Sequence, residues 1–174
     1  MGQFLQGALR ARRTSIAEAR VPPHHDPACW GCGDNPTGIR LPPPTDEGVR
    51  EYEARFSFAE HHQAGPGFVH GGLVAAALDE AAGLLATWYR FPSVTAELTV
   101  RFRRPVHINR ELRISARLLE DGGRRFDVVA ELRDDDELLA SAQGTWAHVP
   151  FEHFLKTPEG RAARDAWRER LTRD

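Results

Sequence analysis

The stretch His70-Gly71-Gly72-Leu73-Val74-Ala75-Ala76-Ala77-Leu78-Asp79-Glu80-Ala81-Ala82-Gly83-Leu84-Leu85-Ala86 decides the fold. Between Leu73 and Ala86 only Asp79 and Glu80 are polar. The spacing predicts a helix from about Gly71 to Tyr89 that is apolar nearly all round, and therefore buried on most sides. The two acids interrupt the run near its middle, so it falls short of the ~18–20 uncharged residues that span a bilayer. An unpaired buried carboxylate costs roughly several kcal/mol or stays protonated. Neighbouring helix residues are about 100° apart, so at least one acid must face a poorly solvated place. Either an arginine pairs with it in a structural network, or it carries chemistry.

On both sides of this helix the period is two. Tyr52, Ala54, Phe56 and Phe58 alternate with Glu51, Glu53, Arg55 and Ser57. Beyond Pro92, Val94, Ala96, Leu98, Val100 and Phe102 alternate with Thr95, Glu97, Thr99, Arg101 and Arg103. Two more strands follow around the hairpin signal Asp121-Gly122-Gly123, with Leu112, Ile114, Ala116 and Leu118 on one and Phe126, Val128, Ala130 and Leu132 on the other. Asp134-Asp135-Asp136 makes a polar turn before a last strand over 138–149. A polar, glycine-rich loop spans Glu60 to Val69. The order is strand, long helix, four antiparallel strands, and the economical packing wraps one sheet around the helix. A short amphipathic helix is expected over 1–20, a proline-punctuated loop over 21–48 with a short strand at Ile39-Arg40-Leu41, and a charged helix over 159–173. The expected organisation is an N-terminal helix and loop (1–48) packed on a core domain (49–150), followed by a helical tail (151–174).

Composition narrows the function. The 174 residues are 41% hydrophobic and 28% charged, enough for a core and too apolar for wholesale disorder. A net charge of −2 argues against a nucleic-acid binder held by counterion release. Nearly all basic charge is arginine, Lys156 being the one lysine. The arginine-bearing N-terminus lacks an apolar leader core, and two cysteines make no disulfide framework. A cytoplasmic protein away from membranes is expected.

The helix start is a second feature. Gly71 and Gly72 let a ligand atom approach the backbone, and first-turn amides sit at the positive end of the helix dipole. Such a terminus can hold a carbonyl oxygen as it gains charge, although close packing against the sheet would also use glycines there. Eight residues separate Gly71 from Asp79, about 12 Å along the axis. That is too far for both to act on one carbon. A site using both would take Asp79 from one subunit and Gly71/Gly72 from another, which predicts a homodimer or homotetramer.

Three segments carry a family resemblance. They are Cys29-Trp30-Gly31-Cys32-Gly33-Asp34-Asn35-Pro36-Thr37-Gly38-Ile39, then His62-Gln63-Ala64-Gly65-Pro66-Gly67-Phe68-Val69-His70-Gly71-Gly72 continuing to Asp79-Glu80, then Thr95 to Pro105. In this order they resemble the hotdog-fold acyl-CoA thioesterases of the phenylacetate-degradation type, over roughly residues 28–149. The resemblance implies an α+β hotdog fold, an antiparallel β-sheet wrapped around a central long α-helix, and hydrolysis of acyl-CoA to free acid and CoA. It implies that Asp79 is the general base or nucleophile, that Gly72 with Gly71 polarises the thioester carbonyl, and that His70 shapes the helix start. It implies that Thr95 positions the attacking water and that His62 and Gln63 lie near the thioester. Ala64 and Gly65 depart from the family's glycine and aromatic after the glutamine, which implies a wider acyl pocket beside Phe68. Asp79 fits the motif better than Glu80, which is expected to be structural.

A thioester is already activated, so one carboxylate, one hydroxyl and a helix start suffice, and neither cofactor nor metal is expected in the reaction. Cys29-x-x-Cys32, near His24 and His25, has the ligand types of a zinc site, but the family lead-in accounts for both cysteines as a structural loop. Arg101, Arg103 and Arg104 are candidates for the phosphates of CoA, against a solvated sheet face. The alternatives are an enoyl-CoA hydratase or dehydratase on the same fold, for which the histidine spacing is absent, and a non-catalytic acyl-CoA-binding domain.

Overall fold

In the computed structural model, which describes residues 28–44 and 49–171, the period-two segments become strands and the apolar stretch becomes a helix. The elements are β1 (Glu51–Phe56), β2 (Gln63–Gly65), β3 (Phe68–Val69), α1 (Gly71–Tyr89), β4 (Ser93–Phe102), β5 (Leu112–Asp121), β6 (Arg125–Asp134), β7 (Glu137–His148) and α2 (Pro158–Leu171). Single 3-10 segments precede β2 (Glu60–His62) and α2 (Phe151–Lys156). The helix expected over 1–20 lies outside the described residues.

Five strands make one antiparallel sheet in the order β1-β5-β6-β7-β4, and α1 packs across its inner face. This is the hotdog architecture. The helix buries Val74, Ala77, Leu78, Ala81, Ala82, Leu84, Leu85, Ala86 and Trp88 against inward residues of the sheet, among them Ile114, Phe126, Val128, Leu132 and Trp146. Full burial of a Leu or Val side chain such as Leu78 or Val74 is worth roughly 1.5–3 kcal/mol, so this face anchors the helix. Among the described residues, no helix is long and apolar enough to cross a membrane.

The structure corrects three expectations. Ile39-Arg40-Leu41 is not a strand. Arg40 has φ 60°, in the left-handed region, which interrupts an extended run. Ile39 and Leu41 instead bond the backbone of Trp30 and Gly31 (3.0 and 2.9 Å) and are buried. Second, the loop over 60–69 is a 3-10 turn followed by the small β2–β3 hairpin. Third, the strict alternation expected along β4 breaks. Thr95 pairs with Trp146 and Glu97 with Thr145, so Ala96 is an extra residue, a bulge. Gly144 on β7 permits it, because a β-carbon there would lie 2.3 Å from the Glu97 carbonyl oxygen. The bulge turns Thr95 onto the face of Leu98, Val100 and Phe102, the side against α1. Alternation alone had set it opposite them.

Candidate functional site

Asp79 sits in mid-α1, half-buried, at the place where the bulge aims Thr95. The Thr95 hydroxyl donates to Asp79 Oδ1 at 2.9 Å. Burial holds the Asp79 carboxyl above the ordinary carboxylate range, and the Thr95 bond opposes this in part. Thr95 is its hydrogen-bond partner among the described residues, so the arginine pairing weighed from the sequence is not what holds it. The carboxylate keeps a second oxygen, and the hydroxyl, whose hydrogen points at Asp79, keeps lone pairs. Together they can hold and deprotonate a water.

Trp146 on β7 adjoins this pair. It is in register with Thr95, is 1% exposed, and its indole N–H finds no partner among the described residues. Gly83, one turn beyond Asp79, lies against that nitrogen, since a β-carbon there would be 3.9 Å away. Strand register is the signal that could have found it, and register depends on the bulge.

At the other end of β4, Gly71 lies beside Phe102, whose ring would be 3.8 Å from a β-carbon on Gly71. Phe102 is 57% exposed. The His70 side chain caps the helix: its Nδ1 accepts the Gly72 N–H at 3.0 Å, while Leu73 and Val74 N–H groups bond the His70 carbonyl. The Gly72 amide is thus already engaged, and that of Gly71 is the first-turn donor left available among the described residues. Within one chain, Gly71 and Asp79 stand at opposite ends of β4, as their spacing requires.

Other candidates take structural places. His62 is 3% exposed and both its ring nitrogens are committed. Nδ1 accepts from the Ala59 N–H at 3.0 Å, which leaves Nε2 to donate to the Thr37 carbonyl at 3.2 Å. Burial lowers its pKa, so it stays neutral and fastens the 28–41 loop to the turn before β2. The Gln63 side-chain Oε1 accepts the Gly67 N–H and closes the β2–β3 turn. Phe68 is 41% exposed and packs on His107. Arg101, in register with Ser141, and Arg103 line a concavity with Glu97, Thr99 and Asp127 on the sheet face away from α1. Arg104 pairs with Glu137 at 3.1 Å, both side chains exposed. Arg101 and Arg103 thus lie across the sheet from Asp79 of their own chain.

Glu80 lies on another side of α1. Cys29 Sγ lies 4.0 and 3.9 Å from its two oxygens, and Cys32, 1% exposed, completes the group. The Cys32 thiol is pushed far up by its hydrogen bond with Cys29, then by burial and by the Glu80 charge. Burial, Glu80 and Cys32 likewise push up nearby Tyr52, whose hydroxyl donates to the Pro42 carbonyl at 2.6 Å.

The family model described as "Thioesterase superfamily" matches residues 66–141, which include α1, β4 and the bulge. Among solved structures, a conserved protein of Pseudomonas aeruginosa is 33% identical, with a TM-score of 0.57 over 64% of this chain and 90% of that one. A phenylacetic acid degradation-related protein of Ralstonia eutropha is 26% identical, with a TM-score of 0.57 over 63% of this chain and 85% of that one. The acyl-coenzyme A thioesterase THEM4 of Rattus norvegicus is 31% identical over 85 residues, which is 49% of this chain and 36% of that protein. The chain therefore spans just over a third of the length of that relative.

Proposed function

The chain belongs to the thioesterase superfamily, and on that premise we propose that it hydrolyses acyl-CoA thioesters to free acid and CoA with Asp79 as the general base. The observation that carries this reading is the half-buried Asp79 carboxylate tied to Thr95 in a mostly apolar helix. A base whose pKa is raised by burial takes a proton from water more readily than an exposed carboxylate does. Thr95 fixes one Asp79 oxygen, leaving the other to receive that proton. The hydroxide equivalent adds to the thioester carbon, the carbonyl oxygen becomes an oxyanion, and collapse expels CoA thiolate. In the variant reaction Asp79 adds directly, collapse expels CoA thiolate to leave a mixed anhydride, and water then cleaves it to free acid and the Asp79 carboxylate.

The oxyanion needs donors that Asp79's own chain keeps about 12 Å away. β4 is a sheet edge, and such edges invite pairing. A two-fold antiparallel pairing across β4 would bring the Gly71 end of one subunit beside the Thr95 end of the other. The Gly71 amide then serves as the donor, with Gly72 joining once His70 gives it up. The exposed Phe102 would be covered by the same contact. The Trp146 N–H offers the Asp79 face a further donor. His62 and Gln63 act by holding the loops around the helix start. Arg101 and Arg103 are proposed to meet CoA phosphates on the outer side of β4. Residues 49–150 form the domain that does this, with the preceding loop packed on it.

The test is a hydrolysis screen over short, medium, long and aryl acyl-CoAs with thiol detection, on wild type and Asp79→Asn. Turnover of at least one class, lost in the variant, is expected. Saturable binding without turnover in every class, or full activity in the variant, would overturn the reading.

A further inference from the structure

We propose that Cys29, Cys32 and Glu80 form a binding site for a tetrahedral, thiolate-preferring divalent cation of the zinc class. Residues from two distant parts of the chain converge there: a docked loop supplies both sulfurs, and α1 supplies the carboxylate 51 positions after Cys29. One ligand atom from each lies within 4.8 Å of the others. A zinc ion with Zn–S near 2.3 Å and Zn–O near 2.1 Å sets its tetrahedral S···S and S···O separations at about 3.6–3.8 Å. The observed Cys29–Glu80 separations of 3.9 and 4.0 Å are already within a few tenths of an ångström of that.

The backbone is built for this arrangement. Gly31, between the two cysteines, has no room for a side chain, because a β-carbon would lie 2.1 Å from Glu80 Oε2. The loop therefore closes directly over the carboxylate. It is pinned by Gly33 N–H on the Cys29 carbonyl and Leu41 N–H on the Gly31 carbonyl, each at 2.9 Å. Preset ligands lose little freedom on binding.

The alternative use of a Cys-x-x-Cys pair is disulfide exchange, and the surroundings oppose it. Exchange needs an accessible thiolate, whereas Cys32 is 1% exposed and a carboxylate disfavours a second negative charge beside it. A divalent cation reverses that electrostatic relation and holds all three groups as anions. Two soft sulfurs also select against calcium and magnesium. Binding releases two thiol protons to solvent, so affinity falls as pH falls. Cys29, Cys32 and Glu80 supply three of the four tetrahedral positions. The ion would be a clamp fastening the loop to α1 one residue from Asp79, and it takes no part in hydrolysis.

The experiment uses the full chain, grown with zinc and purified under a phosphine reductant without chelator. Metal is measured by plasma mass spectrometry, and metal-stripped protein is titrated with Co²⁺. About one zinc per chain and a near-ultraviolet thiolate-to-cobalt band are expected. Cys29→Ser and Cys32→Ser should each abolish the band, and Glu80→Gln should weaken Co²⁺ binding at least tenfold. Metal-free wild type without a cobalt band overturns the proposal, and that result needs no variant to fold. So does zinc retained by the Cys29→Ser/Cys32→Ser double variant, or a Cys29–Cys32 disulfide that persists in zinc-loaded protein exposed to air.

Discussion

Asp79 and Glu80 are adjacent on one helix and both half-buried, yet they look into opposite surroundings. Asp79 meets a single hydroxyl from the edge strand β4. Glu80 lies under a closed loop between two sulfurs and the space left by a glycine. A rotation of about 100° thus separates a group that stays available to react from one enclosed by its own chain. Burial alone does not distinguish the two acids; what differs is that a docked loop encloses Glu80, whereas Asp79 meets one hydroxyl.

The comparison is broken most sharply at Asp79. Replacement by Asn should lower acyl-CoA hydrolysis about 10²–10⁴-fold, read as kcat by thiol release. Its stability should move the other way. Burial raises the folded-state pKa of Asp79, so its contribution to stability is full below the ordinary carboxylate value and is lost as pH rises through the folded value. At neutral pH the ionised group costs stability, and Asn removes that cost. Thermal melts at pH 7 should give an Asp79→Asn midpoint at or above wild type. A lower midpoint would make Asp79 a structural acid like its neighbour.

The mirror experiment is Gly31→Ala. The new methyl group occupies the Glu80 carboxylate's place and must drive that flexible side chain away from the sulfurs. A cost of about 1–3 kcal/mol is expected from overpacking, seen in denaturant unfolding, with kcat within a few-fold of wild type. A collapse of kcat at unchanged stability would show that the two sides of the helix are not separable.

How much of this division the sequence reveals depends on the range of the interactions that set it. The limits of α1 and the inward faces of β5 and β6 follow from local periodicity, and Leu112, Ile114, Phe126 and Val128 are buried as their spacing requires. The direction of Thr95 does not follow. It depends on a bulge that Gly144 on another strand accommodates, and no window along β4 contains that residue. Glu80's partners are likewise hidden, because loop docking brings them from 51 positions away. His62 looks like a polar loop residue until Thr37 and Ala59 are seen to use both ring nitrogens. The family motif favours Asp79 over Glu80, and the structure gives the two acids different neighbours, Thr95 for one and the cysteine loop for the other.

Thr95→Val sharpens the Asp79 side. The lost hydrogen bond favoured the ionised carboxylate, so its removal raises the Asp79 pKa further. The acid limb of kcat against pH should move to higher pH, and kcat at pH 7 should fall about tenfold. Thr95→Ser should restore both. An unmoved limb with the same loss of rate would mean that Thr95 acts on the substrate rather than through Asp79.

The smallest effect is expected at His70, where cap and donor compete for one amide. His70 Nδ1 accepts the Gly72 N–H, a bond that supports the helix start but keeps that amide from any oxyanion. Removing it with His70→Ala should cost about 1 kcal/mol, the usual worth of an N-cap, or about 2–4 °C in the melting midpoint. If the cap merely yields when substrate arrives, the variant has nothing to displace, and kcat/KM should stay within about threefold of wild type or rise. If the imidazole itself orients the thioester, kcat should fall by at least tenfold while the melting midpoint moves no further. The two outcomes separate a helix start that the protein holds closed for itself from one that it holds ready for a ligand, which is the distinction Glu80 and Asp79 embody eight residues later.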